Sequence, residues 1–236
     1  MISIGIAGLS IGLDERFDYV RALTEGYRTD KPCDFTVSAS DEDIAEERAG
    51  SDIEHSDGYL ESISIYRNIA ERLPEYSAAV FHGAVIACGG VAYAVTARSG
   101  TGKTTHLRLW LREFGDKVHI LNGDKPILRV IDGKVWAAGT PWRGKEGYGV
   151  NEMLPLGGIA FLERAEKNSC EPLSASAATV PFVSQLYIPK SPSSAARALM
   201  LTNKIITTVP LFRLGVNMEP EAAHVAYRAL VGDRKI

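Results

Sequence analysis

The period of apolar residues changes several times along the chain, and each change marks an element. Residues 1 to 12, "MISIGIAGLSIG", read as one or two buried strands. Within "YLESISIYRNIAERLPEY", Ile63, Tyr66, Ala70 and Leu73 fall on one helical face, and Pro74 stops the helix. The period then shortens. "AAVFHGAVIACGGVAYAVTA" holds two apolar, β-branched runs around Gly89-Gly90, which predicts a hairpin. Its second run leads into "RSGTGKTT", after which Leu107, Trp110, Leu111 and Phe114 predict an amphipathic helix closed by Gly115-Asp116. "VHILNGD" reads as a buried strand, "PILRVIDGKVWAAGT" as a hairpin turning at Asp132-Gly133, and "GGIAFLER" as a further strand. Helices are expected over 176–186 and 192–206, a late strand in "TVPLFRLGV", and a closing helix over 219–231.

Between the first strands and the first helix lies "TVSASDEDIAEERAGSDIEHSDG", residues 36 to 58, acidic and rich in Ser and Asp. It predicts a surface loop with a short helix and is a candidate boundary or mobile segment. The expected division is therefore an N-terminal α/β extension, 1–75, and a nucleotide-binding core, 76–236. The fold class is α/β. Two hairpins next to the glycine-rich loop argue for a mixed sheet, because a purely parallel one needs helical crossovers.

At 236 residues the chain can bury a sizeable core. With 26 basic against 29 acidic residues, its net charge of −3 advertises neither a nucleic-acid nor a membrane partner. The three cysteines are scattered and form no C-x-x-C, so a disulfide scaffold and a zinc site are not expected, and a reducing cytoplasm fits. The apolar N-terminus lacks a basic flank and meets Asp14 and Glu15 early, unlike a signal peptide. A homo-oligomer is left open.

The chemistry is concentrated in "ARSGTGKTT". Ala97 stands where a strict phosphate loop has its first glycine, and Ser99, Gly100, Thr101, Gly102, Lys103, Thr104 and Thr105 follow. Gly100 and Gly102 let successive backbone N–H groups converge on phosphate oxygens, and the helix that starts there points its positive end at the anion. Lys103 is placed to reach β and γ phosphates and Thr104 to ligand Mg²⁺. Two more stretches are candidates. His82, in "VFHGAV", is either a core histidine or a site residue; Asp124, in "ILNGDKP", is either a turn aspartate or a group that holds Mg²⁺ and accepts a hydroxyl proton. "GTPWRGKEGYGVN" carries Arg143 and Lys145 among four glycines, beside Trp142, and reads equally as a lid over phosphates or as a solvated basic turn. Glu61, Tyr66 and Arg67 are either part of an acceptor pocket or ordinary polar residues of an amphipathic helix. His106 is expected to face solvent or the nucleotide rim.

Together, "FHGAVIACGGVAYAVTARSGTGKTTHL" and "ILNGDKP" resemble the catalytic core of HPr kinase/phosphorylase, over roughly residues 79–131 and more loosely to 230. "SGTGKTT" is also similar to ATP-dependent phosphoenolpyruvate carboxykinase, which shares that fold. The resemblance implies a mixed-sheet phosphate-loop kinase core with the N-terminal extension added to it, with ATP and Mg²⁺ as cofactors. Short HPr-kinase-like proteins, serine kinases and peptide-tailoring kinases among them, match in size. By the resemblance, Ser99 to Thr105 cradle phosphate, His82 lies near the transferred phosphoryl group, and Asp124 is the second member of the family's acidic pair. Gly123 stands where the first acid belongs, so one carboxylate has to serve both metal and base, or His82 has to help, or activity is weak. The implied function is an ATP-dependent kinase acting on a hydroxyl of a small molecule or peptide. The alternative, motivated by Gly123, is a nucleotide-binding regulatory module with little or no catalysis. The family's dephosphorylating loop has no counterpart here, and carboxykinase activity ranks last.

Overall fold

The computed structural model describes residues 1–232. The N-terminal part begins with strands β1 (Ile2–Ile6) and β2 (Leu9–Asp14), an antiparallel hairpin. Its two-residue turn, Ala7-Gly8, has φ of 52° and 71°, the left-handed pair that suits the twist of a tight hairpin. Helix α1 (Asp18–Leu23) follows, and then β3 (Phe35–Ser38), which adds to β2 in parallel and completes a three-stranded sheet. Neither α1 nor β3 has a clear signature in the sequence. The acidic segment adds most of β3 to the sheet, which was not foreseen, and forms the expected short helix as α2 (Asp41–Ala49), which starts on a reciprocal capping box between Ser40 and Asp43. Helix α3 (Asp57–Arg72) lies where the apolar period placed it, with Ser56 accepting from the Tyr59 N–H and Pro74 ending the run in a 3₁₀ turn.

The larger sheet is mixed and has nine strands. The run expected as one hairpin is three strands: β4 (Ala78–Val80), β5 (Ala84–Cys88) and β6 (Val91–Thr96). The chain breaks pairing at Phe81–Gly83, so β4 joins one wing of the sheet while β5 and β6 form the hairpin in the other. His82 therefore lies in a connection, not on a strand. After β6 come α4 (Lys103–Phe114) and β7 (Val118–Asn122), which pairs with β5. Strands β8 (Ile127–Ile131) and β9 (Lys134–Ala138) form the expected hairpin, with Asp132 and Gly133 at φ 49° and 77°. Strand β10 (Met153–Arg164) is longer than expected. Its residues Met153 to Pro155 pair antiparallel with β9; from Leu156 on, with an irregularity before Gly158, it runs parallel to β6. This strand joins the two wings and curls the sheet. Strand β11 (Ser169–Pro172), not foreseen, and β12 (Leu211–Val216) complete it. Helices α5 (Ala175–Val183), α6 (Pro192–Thr208) and α7 (Glu221–Leu230) lie close to their expected ranges, giving seven α-helices among the described residues.

Three groups of buried side chains hold these layers. One centres on Ile4, Ile11, Leu13, Ile65 and Ile69, and takes in Val80, Ile127, Ala138 and Trp142 from beyond residue 76. Apolar packing is thus continuous from α3 to β4, β8 and β9 of the larger sheet. The second group lies under α5 and α6, and the third packs α4 and α7 on β5, β6, β7, β10 and β12. Among the described residues no helix is long and apolar enough to cross a membrane.

Candidate active site

The glycine-rich loop spans residues 97–102 between β6 and α4. Gly100 and Gly102 take φ of 75° and 125°, values an L side chain resists. Gly102 caps α4, and no side chain accepts from the first turn of that helix, which leaves its N–H groups facing outward. Nothing lies within 4 Å of where a Cβ would sit on either glycine. The opposite faces of the loop peptides are engaged. Arg164, at the end of β10, donates from Nη2 to the Gly100 carbonyl at 2.7 Å and from Nε to that of Thr101 at 3.2 Å. Thr101 Oγ1 donates to the Arg98 carbonyl at 2.8 Å. Carbonyls held this way turn away from the helix end, and the amides are left for an anion.

Lys103 is half-buried, and its ammonium donates to the Ala97 carbonyl at 2.8 Å. Burial lowers its pKa, and the nearby charge of Asp124 opposes that shift. The lysine placed by the sequence to reach phosphates is thus partnered by a loop carbonyl here.

Asp124 follows β7 and is set by Asn122. The wholly buried Asn122 accepts at Oδ1 from the backbone N–H groups of Asp124 and Lys125, at 2.9 and 2.7 Å. Its amide nitrogen donates to Thr140 and to the Trp142 carbonyl. The turn chemistry visible in "NGDKP" is real and, in this fold, it is what aims the carboxylate. Asp124 Oδ1 lies 3.5 Å from His82 Nε2, and Oδ2 lies 3.4 Å from Lys125 Nζ. The hydrogen bond with His82, then the charge of Lys125, hold the Asp124 pKa below the ordinary carboxylate value against partial burial.

His82 is held from behind. Its backbone N–H donates to the Gln185 carbonyl at 2.7 Å, and its Nδ1 lies 2.9 Å from Gln185 Oε1. Gln185 Nε2 donates to Ser184 Oγ, which places the amide oxygen against the ring and the hydrogen on Nδ1. Nε2 is then the nitrogen turned to Asp124. Gln185 and Arg164 carried no signal in the sequence that would have set them apart, since one follows a distant helix and the other ends a distant strand; Asn122 was visible only as the first residue of the "NGDKP" turn.

A cleft of about 1040 Å³ brings these pieces together. The loop residues Ser99, Gly100, Gly102, Lys103, Thr104 and Thr105 line it with His82, Asp124, Arg143 and Lys145; Thr101 does not. The stretch 139–149 forms its roof; its first residues, 139–142, are buried and its tip, 144–147, is exposed. Trp142 is buried, stacks on Tyr66 at 4.1 Å between centroids, and donates from Nε1 to the Ser62 carbonyl. The Gly123 N–H donates to the Tyr148 carbonyl, and Gly144 lies against the Asp124 side chain. The Arg143 guanidinium sits 5.8 Å over the Tyr27 ring, whereas Lys145 is exposed. Glu146 pairs with Arg108 of α4 at 2.7 Å, tying the roof to the helix that follows the loop.

Two expectations change at this point, those for His106 and Glu61, while Arg67 agrees with its reading as an ordinary polar residue of the helix. His106 is 2% exposed and accepts from Trp110 Nε1 at 2.9 Å; burial drives its pKa down to about 4, so it is a neutral core side chain and not a rim residue. Glu61 is fully buried and accepts from the Arg16 and Phe17 N–H groups at 2.7 and 3.0 Å, capping the entry to α1. Arg67 pairs with Glu47 at the surface. Of those three α3 residues only Tyr66 reaches the site, through its hydroxyl's bond to the Lys125 carbonyl at 2.7 Å and its stacking under Trp142.

No family model matches the sequence, and no curated protein matches it. Among solved structures the chain is similar to the Hpr(Ser) kinase/phosphatase from Coxiella burnetii, at 11% identity over 64% of this chain and 90% of that one, with a TM-score of 0.38.

Proposed function

We propose that this protein is an ATP-dependent kinase that transfers a γ-phosphoryl group to a hydroxyl of a small molecule or peptide. The observation that carries the reading is the meeting of His82 and Asp124, 3.5 Å apart, in the cleft that also receives the glycine-rich loop. A triphosphate fits the loop on physical grounds: uncapped amides at a helix start, two glycines with open space above them, and a lysine beside them. Thr104 and Asp124 would hold Mg²⁺ together with phosphate oxygens. Among the described residues no group of three His, Cys, Asp or Glu side chains stands ready for a metal, which fits a cation brought in with the nucleotide. Bound there, Mg²⁺ neutralises phosphate charge.

The chain's own residues do the rest. The loop amides and Lys103 orient the phosphates, and the roof limits access of water. As the acceptor oxygen bonds to the γ-phosphorus and the bond to the leaving nucleoside diphosphate breaks, the acceptor's proton passes to the Asp124–His82 pair. Gln185 keeps the Nδ1 hydrogen in place, so Nε2 is the nitrogen able to share that proton.

The second reading, a nucleotide-binding module with little or no turnover, is favoured by position 123. A Cβ there would lie 3.2 Å from the Arg143 carbonyl oxygen and 3.4 Å from Tyr148, so the roof's backbone occupies the space where a first acid would project. Incubation with γ-labelled ATP and Mg²⁺ against a panel of hydroxyl acceptors, including free serine and ribosomal peptides, tests the two. Transfer that disappears in Asp124→Asn supports the kinase. ATP binding without transfer to any acceptor, unchanged in that variant, supports the module.

A further inference from the structure

The cleft has a second wall that the phosphate chemistry does not use. Tyr19 and Leu23 of α1 and Tyr59 and Ile63 of α3 line it together with Trp142 and Lys125. Tyr19 and Tyr59 meet edge to face at 6.0 Å between centroids, and Tyr19 remains 44% exposed. These four side chains thus turn part of their apolar surface to an open cavity, Leu23, Tyr59 and Ile63 also packing against the core, with Lys125 at their inner edge.

The position of this wall along the cleft follows from its contacts. Helix α3 touches Lys125 through Tyr66 and Trp142 through Ser62. Lys125 and Trp142 adjoin Asp124, directly and through Asn122. The order across the site is therefore glycine loop, then the Asp124–His82 pair, then the wall. A phosphate chain seated on the loop ends at the pair, and whatever receives its terminal group lies beyond, against α1 and α3. The cleft's 1040 Å³ reaches the upper limit of about 1,000 Å³ typical for a single ligand site, leaving room for two molecules.

We infer that this wall is the acceptor subsite and that it selects a hydroxyl carried next to an aromatic or branched apolar group. Tyrosine rings and branched aliphatic chains reward apolar area and ring stacking; they return little to a compact, strongly hydrated acceptor such as glycerol or free serine. This inference rests on the kinase reading for the direction of transfer, but its test does not require turnover.

The protein with Mg²⁺ and a non-hydrolysable ATP analogue is titrated with four probes, following the ring signals of Tyr19, Tyr59 and Trp142 by NMR. The probes are 2-phenylethanol, N-acetyl-phenylalanyl-serine amide, glycerol and L-serine. Saturable shifts are expected with one or both aryl probes and not with glycerol or serine. Binding of both aryl probes shows that the aryl-flanked hydroxyl alone suffices; binding of the capped dipeptide only assigns the subsite to a peptide. Tyr59→Ala should weaken the aryl probe roughly fivefold to tenfold, with nucleotide affinity changed less than about twofold. Tyr59→Phe should bind as the wild type does. Serine or glycerol binding as well as the aryl probes, no probe binding at all, or Tyr59→Ala weakening the nucleotide instead would each overturn the inference; the last would make the wall a base site. Aryl binding with no subsequent phosphoryl transfer from ATP would leave the subsite standing and count against the kinase.

Discussion

Two glycine-rich stretches face the same cleft and use glycine for opposite reasons. In residues 97–102, Gly100 and Gly102 have positive φ and open space where a side chain would project. Their absent side chains serve a ligand, by exposing amides at a helix start. In residues 139–149 three of the four glycines are crowded, Gly147 at the exposed tip being the open one. A Cβ on Gly139 would overlap the Val150 carbonyl and lie 2.6 Å from that of Leu121; one on Gly149 would lie 3.0 Å from Arg143. Here the absent side chains serve the fold, by letting the roof's backbone run against β7. Glycine content alone does not separate a loop built to bind from one built to pack; what surrounds each Cβ position does.

The contrast predicts that changes in the first stretch remove function before stability, and changes in the second the reverse. The largest effect is expected for Lys103→Ala. Phosphoryl transfer should fall roughly 10²–10³-fold, with the thermal midpoint little changed, because a half-buried ammonium is lost and the freed Ala97 carbonyl can meet water. Transfer at the wild-type rate would remove the loop from the active site.

Next comes Gly139→Ala, which forces backbone apart and should cost about 3 kcal/mol, seen as a fall of roughly 6–12 °C in the midpoint. Gly102→Ala should cost only the strain of its positive φ, about 1–2 kcal/mol, while weakening nucleotide binding measured by calorimetry. Equal losses of stability in the two variants would erase the distinction between the stretches.

A smaller effect concerns pH. Because His82 and Lys125 depress the Asp124 pKa, its carboxylate contributes stability that is complete above the unfolded value of about 3.9 and is lost as pH falls through the lower folded value. Asp124→Asn lacks that contribution. Urea denaturation should show the variant less stable than the wild type at pH 6, with the gap closing at the acid end; a gap constant down to pH 2 would mean that the carboxylate's charge is not what anchors it. The smallest change is expected for Arg108→Ala, which opens the exposed tie to Glu146. The thermal midpoint should be unchanged, as expected for an exposed ion pair; a clear fall would show that the roof depends on its link to α4 rather than on its packing over β7.

The sequence by itself determined the local part of this protein. The strand–loop–helix around residues 91–114, the 132–133 hairpin, α3 and the closing helices all have their signals within a few residues, because turn dihedrals, helix stops and apolar period are short-range properties. The mixed character of the sheet was legible for the same reason, since adjacent hairpins leave no room for crossovers. Tertiary structure alone decided the rest. His106 reads as polar and lies in the core, because the face of α4 is set by the sheet and α7 and not by its neighbours in the chain. Glu61 reads as a pocket residue or an ordinary polar residue of its helix, and it accepts from the Phe17 N–H, 44 residues away in sequence, at the entry to α1. His82 finds its support in Gln185, 103 residues on, and β10 changes partners midway to bring the two wings around the cleft. Such pairings depend on burial and on hydrogen bonds satisfied between distant segments, and no window of sequence contains both partners.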